Sequence, residues 1–156
     1  MTDADRLALS ERIRATLREV RKSRYPVLLL LGDPEQMTFD LWQEIAGAQG
    51  LGVVDMLAEV DDPGFQKAIG AWPTFVEWVR EQAVARGGIM VTDLDAYITK
   101  WPERDRERFL LKLLKSETRN STTKEAAPIV IVTALARLFK LPNDLKNYGM
   151  VLDLAL

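Results

Sequence analysis

The chain contains neither cysteine nor histidine. The first absence rules out disulfides and thiolate metal sites. The second removes the commonest general base and the commonest zinc ligand. No apolar run approaches the roughly 20 residues that a membrane-spanning helix needs. The opening, "MTDADRLALSERIR", is acidic and amphipathic, without the basic head and apolar core of a secretory leader. Together these absences make a cytoplasmic protein the expected reading. Positive charge is also missing from a long window, because no Lys or Arg lies between Arg24 and Lys67. That window holds Asp33, Glu35, Asp40, Glu44, Asp55, Glu59, Asp61 and Asp62.

What is present fits one soluble domain over residues 1–156, with an N-terminal helix segment at 1–24 and a core at 25–156. The composition, 47% hydrophobic and 28% charged, is that of a chain that can bury a core. The net charge of −2 hides a polarised distribution. Between Lys100 and Lys124 eight basic residues face only Glu103, Asp105, Glu107 and Glu117.

Along the chain, Leu9, Ile13, Leu17 and Val20 recur at helical spacing, predicting a helix over 3–22 that Asp3 can cap. "YPVLLLLG" is a continuous apolar run ended by Gly32, the mark of a strand buried on both faces. A helix near 38–48 and a short strand in "LGVVDML" follow. Helices near 62–70 and 74–86 lead to a third strand, "GGIMVTDLD", entered through Gly87 and Gly88. A helix near 103–117 and a polar loop precede a fourth strand, "PIVIVTAL", whose first residue is Pro128. A short helix near 134–140 and a C-terminal strand in "MVLDLAL" complete the pattern. Strands alternating with helices predict an α/β fold: a three-layer αβα sandwich around a five-stranded parallel sheet. Ligands in such folds bind at the carboxyl ends of the strands, which directs attention to Gly32–Thr38, Asp93–Asp95 and Thr133.

A phosphate-binding loop of the form G-x-x-x-x-G-K-[ST] needs backbone amides, a lysine and a hydroxyl. Counted from Gly32, this chain offers "GDPEQMTF": Met37 replaces the second glycine, Thr38 the lysine and Phe39 the hydroxyl. The next lysine is Lys67. Asp33 and Glu35 would face a polyphosphate, and each like-charge pair costs on the order of 1–4 kcal/mol in a surface-like dielectric. The loop is therefore expected not to cradle a triphosphate. The third strand ends in Asp93, where an Mg²⁺-side carboxylate would stand, but Leu94 follows it. Asp95 is expected to point elsewhere by alternation, and an Asp at a strand end is equally a turn or cap residue.

"IMVTDLDAYI" resembles the Walker B strand of an AAA+ P-loop NTPase, and "APIVIVTALARLFKLPNDL" is similar to its sensor-1 strand. Thr133 stands in the place of the polar sensor residue. "NYGMVLDLAL" resembles the last core strand, and "VRKSRYPVLLLLGDPEQ" looks like nucleotide-free AAA+ domains with an eroded Walker A loop. The resemblance covers nearly the whole chain. It implies strand order 5-1-4-3-2, no C-terminal lid domain, and a vestigial nucleotide site at Gly32, Thr38, Asp93 and Thr133. In size and layout the chain also resembles small P-loop-like proteins of BREX-type phage-defence operons.

Other surfaces offer function instead. In "ERDRERFLLKLLKSETR", Arg104, Arg108, Lys112, Lys115 and Arg119 fall within an arc of roughly 80° on a continuous helix over 103–119. Phe109, Leu110, Leu113 and Leu114 lie opposite, so the cations are expected to face water and to serve a partner. A solvated face partly balanced by Glu103, Asp105 and Glu107 is the plainer alternative. A pI near 5.3 argues against a dedicated nucleic-acid binder, making an acidic protein surface the favoured counterpart. By resemblance, Arg119 could instead reach a neighbour's nucleotide as a finger. Trp78 reads as core; Trp72 and Trp101 each precede a proline and are either core or partner anchors. The expected function is a non-catalytic AAA+-like adaptor or assembly protein of a bacterial multi-protein system such as phage defence, possessing protein partners, capable of self-association, and needing neither ATP nor Mg²⁺. The alternatives are a divergent NTPase completed by a neighbouring subunit and a nucleic-acid accessory module using the basic helix.

Overall fold

The computed structural model describes residues 2–32, 39–119, 124–133 and 150–154. The predicted short helix at 134–140 lies outside the described residues. Helix α1 (Asp3–Val20) begins at a capping box, in which Thr2 and Asp5 exchange side-chain and backbone hydrogen bonds at 3.1 and 3.0 Å. Thr2 rather than Asp3 is therefore the cap, because only Thr2 has the extended backbone that turns its hydroxyl onto the amide of Asp5. Strand β1 (Val27–Leu31), helix α2 (Phe39–Ala48) and strand β2 (Gly52–Asp55) follow. After a 3₁₀ turn (Glu59–Asp61) come α3 (Pro63–Ala68) and α4 (Trp72–Arg86). The rest of the described chain comprises β3 (Ile89–Thr92), α5 (Asp95–Ile98), α6 (Glu103–Leu114), β4 (Ile129–Thr133) and β5 (Met150–Asp153).

All five strands are parallel, in the order β2-β3-β4-β1-β5. Parallel neighbours need crossovers, and among the described residues helices supply them on both faces. Side chains of alternate parity feed two separate cores. Val27, Leu29, Ile89, Val91, Ile129 and Ile131 pack under α3, α4 and α6. Leu28, Leu30, Met90, Val130 and Val132 pack under α1 and α2, meeting Leu9, Ile13, Leu17 and Val20 from α1. Each such fully buried side chain contributes about 1.5–3 kcal/mol.

The first core has an aromatic spine. Phe75 stacks on Phe109 at 5.3 Å, Trp101 meets Phe109 edge-on at 5.4 Å, and Phe65 meets Trp78 at 5.4 Å. Trp78 is core, and Trp72 and Trp101 are half-buried against the same cluster. The entry to β3 is shaped by glycine. Gly87 caps α4 in the left-handed region at φ 72°, and Gly88 follows at φ 124°. A Cβ on Gly88 would sit 2.9 Å from both Leu51 Cδ2 and Pro128 Cδ, so only glycine fits. Pro128 stands just ahead of β4 rather than within it, yet its carbonyl still accepts from the Ile89 amide at 2.9 Å.

The basic helix is shorter than expected. α6 stops at Leu114, with Lys115 as its C-cap, so Arg119 is not on it. Buried hydroxyls draw the chain away: Ser116 Oγ accepts from Arg80 Nε at 2.8 Å, and Thr118 Oγ1 donates to the Ala127 carbonyl at 2.6 Å. These side-chain bonds compete with further helical turns. The outer edge of β2 is also occupied. Gly52 and Met56 amides donate to Gly88 and Thr92 carbonyls on the β3 side, which turns the Val53 carbonyl outward. Arg86 Nη1 donates to it at 3.2 Å.

Candidate functional site at the strand ends

With all strands parallel, one edge of the sheet collects the residues that leave them. Gly32 follows β1, Asp55 ends β2, Thr92 ends β3 with Asp93 directly after it, and Thr133 ends β4. Asp153 ends β5, where Arg12 of α1 reaches its carbonyl with Nη2 at 3.4 Å. Thr38, Asp33 and Glu35 lie outside the described residues.

Asp93 takes a left-handed backbone at φ 59°, unusual for a residue other than glycine. That reversal ends strand alternation, and it lets Asp95 turn back toward β4 as the first residue of α5. The Thr133 hydroxyl donates to Asp95 Oδ1. Thr133 and Asp95 are therefore together, contrary to the expectation that Asp95 points elsewhere.

Asp93 itself faces Asp55. Removal from water, a hydrogen bond with the Asp55 carboxyl, and the charges of Asp55 and Asp95 all hold its carboxyl above the ordinary range. Asp93 keeps an exposed flank, which moderates the repulsion. Asp55 also accepts from the Leu57 amide at 3.1 Å. Thr92, in register with Asp55, is buried, and its Oγ1 has no partner among the described residues.

Gly32 has a packing explanation: a Cβ there would lie 3.3 Å from Leu154 Cδ1, so glycine admits the end of β5. The Leu154 amide donates to the Leu31 carbonyl at 2.7 Å across the same contact. Chemically, the described part of this edge offers the neighbouring carboxyls of Asp55, Asp93 and Asp95 and a threonine that donates to Asp95. A polyanion seated there would meet Asp55, Asp93 and Asp95, each repelling it. Among the described residues, no group of three or more acidic side chains is arranged to hold a metal ion.

The second expected surface divides. Arg104, Arg108 and Lys112 lie exposed along α6, with no side-chain hydrogen bond or ion pair among the described residues. Glu103, Asp105 and Glu107 do not pair with them within 4 Å. Lys115, the C-cap, is half-buried. Arg119 is engaged elsewhere: its guanidinium donates to the carbonyls of Ser23 at 2.9 Å, Lys124 at 3.4 Å and Arg21 at 3.5 Å. These bonds tie Arg119 and Lys124 to the connection between α1 and β1, and the expected five-cation stripe reduces on α6 to Arg104, Arg108 and Lys112.

Sequence reasoning passed over Asp55 as a member of the strand-end cluster, and placed Asp95 at the strand end but turned away from it. For Asp55 a signal existed, since it ends an apolar strand within the acidic window; for Asp95 nothing local announced the turn at Asp93. No helix among the described residues is long and apolar enough to cross a membrane. Comparison with known proteins finds no matching family model, no matching curated protein and no matching solved structure.

Proposed function

We propose that the chain is a catalytically silent, P-loop-NTPase-like domain acting as an adaptor or assembly protein in a bacterial multi-protein system, with phage defence of the BREX type as its setting. The observation that carries the adaptor reading is the outward face of α6. Arg104, Arg108 and Lys112 project from a helix anchored by buried Phe109, Leu110, Leu113 and Leu114, and none is neutralised among the described residues. Three unpaired cations on a rigid support attract and orient an acidic partner surface.

The all-parallel sheet in the order β2-β3-β4-β1-β5 supports kinship with P-loop NTPases. The carboxyls of Asp55, Asp93 and Asp95 gathered at the strand ends support a silent site, because they disfavour a polyphosphate. The Thr133–Asp95 hydrogen bond favours a second reading, in which this edge is completed by a neighbouring subunit as a divergent NTPase.

Calorimetry with Mg-ATP separates these readings: no heat of binding is expected, and steady phosphate release by the purified chain would overturn the silent reading. Pull-downs from the native host with wild type and the Arg104→Glu, Arg108→Glu, Lys112→Glu triple variant test the adaptor surface. The partner should be lost in the variant; retention at wild-type levels would overturn the assignment of α6. A salt-dependent shift of duplex DNA, abolished by the same variant, would replace the protein partner with nucleic acid.

A further inference from the structure

Two surfaces that the α6 reading does not use lie at opposite ends of the sheet. One follows the carboxyl end of β2. The 3₁₀ turn leaves Leu57 54% and Val60 47% exposed, large values for apolar side chains three residues apart. Acids flank them: Glu59 and Asp61 enter no ion pair among the described residues, while Asp62 is committed to capping α3 through the Phe65 amide at 3.1 Å. Gln66 Nε2 donates to the Val60 carbonyl at 2.6 Å, bracing the turn against α3. The result is an apolar knob with an acidic collar.

The other surface is a cavity of about 520 Å³ at the amino ends of β1, β3 and β4, where the chain leaves α1 and α4 and enters the sheet. Its apolar lining is Val84, 43% exposed, with Ala126 and Ala127. Its walls carry Arg21 and Arg119, with Glu125 among the lining residues. Both guanidiniums donate to neutral carbonyls, Arg21 to Gln49 at 2.9 Å and Arg119 to Ser23 at 2.9 Å. Neither enters an ion pair among the described residues, so each keeps its charge while being held in place. Fixed donors lose little freedom on binding.

We infer that the acid-collared knob of one molecule docks into the arginine-walled groove of a second copy. The match is twofold: Leu57 and Val60 supply apolar bulk to a groove lined by Val84 and alanines, and Glu59 and Asp61 supply negative charge to Arg21 and Arg119. Because parallel strands put the knob at one end of the sheet and the groove at the other, the contact is head-to-tail, and each molecule retains one unused half. A net charge of −2 opposes such association only weakly.

Sedimentation equilibrium over a concentration series, at low salt and at about 0.5 M salt, reads the assembly directly. Wild type should pass from monomer to dimer and larger species, with association weakened about tenfold at the higher salt. Leu57→Asp/Val60→Asp removes the knob, and Val84→Glu removes the groove; all three positions are exposed, so folding should survive, as circular dichroism will verify. Each variant alone should be monomeric. Mixed together they should form a one-to-one dimer and nothing larger, since only one working knob and one working groove remain. A wild type that stays monomeric at high protein concentration and low salt overturns the inference. Variants that assemble like wild type, or that fail to pair when mixed, overturn it equally.

Discussion

The strand-end cluster can be perturbed with one atom's change of identity, Asp93→Asn. Three carboxyls meet there, and the Asp93 carboxyl is held above its ordinary value of 3.8, first by removal from water, then by the hydrogen bond with Asp55 and the charges of Asp55 and Asp95. A carboxyl raised in the native state makes its full contribution to stability below the unfolded value, where it is neutral in both states. That contribution is lost as pH rises through the native value, because folding then opposes ionisation. Asparagine removes the charge, carries an amide that can donate to Asp55, and tolerates the left-handed backbone at φ 59° as well as aspartate does. Two like-charge contacts would cost on the order of 1–4 kcal/mol each in a surface dielectric, but the exposed flank of Asp93 reduces the recoverable sum to about 1 kcal/mol. For a chain of this size that corresponds to about 2–4 °C in Tm. Thermal melts followed by circular dichroism should show the variant more stable near neutral pH and indistinguishable from wild type near about pH 3.5. A variant less stable at neutral pH, or one whose advantage grows as pH falls, would refute the reasoning. Either result would mean that the ionised Asp93 is favourably partnered.

Further outcomes follow from packing. Phe109→Ala, at a fully buried position where Phe75 and Trp101 meet, should cost about 3–5 kcal/mol in urea titration. Gly88→Ala should be strongly destabilising, by about 2 kcal/mol or more, since its Cβ would collide with Leu51 and Pro128. Arg119→Ala should lower stability by about 1–2 kcal/mol through lost carbonyl bonds, whereas Arg104→Ala should change it by less than about 0.5 kcal/mol. Equal effects in the two arginine variants, measured in the same urea titrations, would contradict the division of roles between them.

Much of the architecture was readable because it depends on local pattern. Val27–Leu31 and Ile129–Thr133 are apolar on consecutive residues, and only a strand covered on both faces satisfies that. Gly87 and Gly88 announced the turn into β3, and the end of α1 was legible within two residues. The end of α6 was not, because it depends on partners far along the chain. Ser116 is drawn in by Arg80, and Thr118 by Ala127, and no helical periodicity contains those bonds. The same holds for the site. Asp93 and Thr133 stand out as strand-end residues, but the meeting of Thr133 with Asp95 requires a left-handed residue that propensity alone does not identify. Arg119 looked like one more cation of a stripe; its role emerges only once three carbonyls from two loops converge on it.

The guanidinium of Arg86 beside β2 has a consequence for how the sheet can grow. Its Nη1 takes the Val53 carbonyl, and Gly52 leaves room for its methylenes, a Cβ there lying only 3.0 Å from Arg86 Cδ. A foreign strand seeking to zip onto that margin must first evict a charged side chain from the backbone position it needs. Arg86 thus acts as a doorstop against uncontrolled polymerisation by strand addition, and a short aliphatic residue in its place would leave that margin open to a foreign strand.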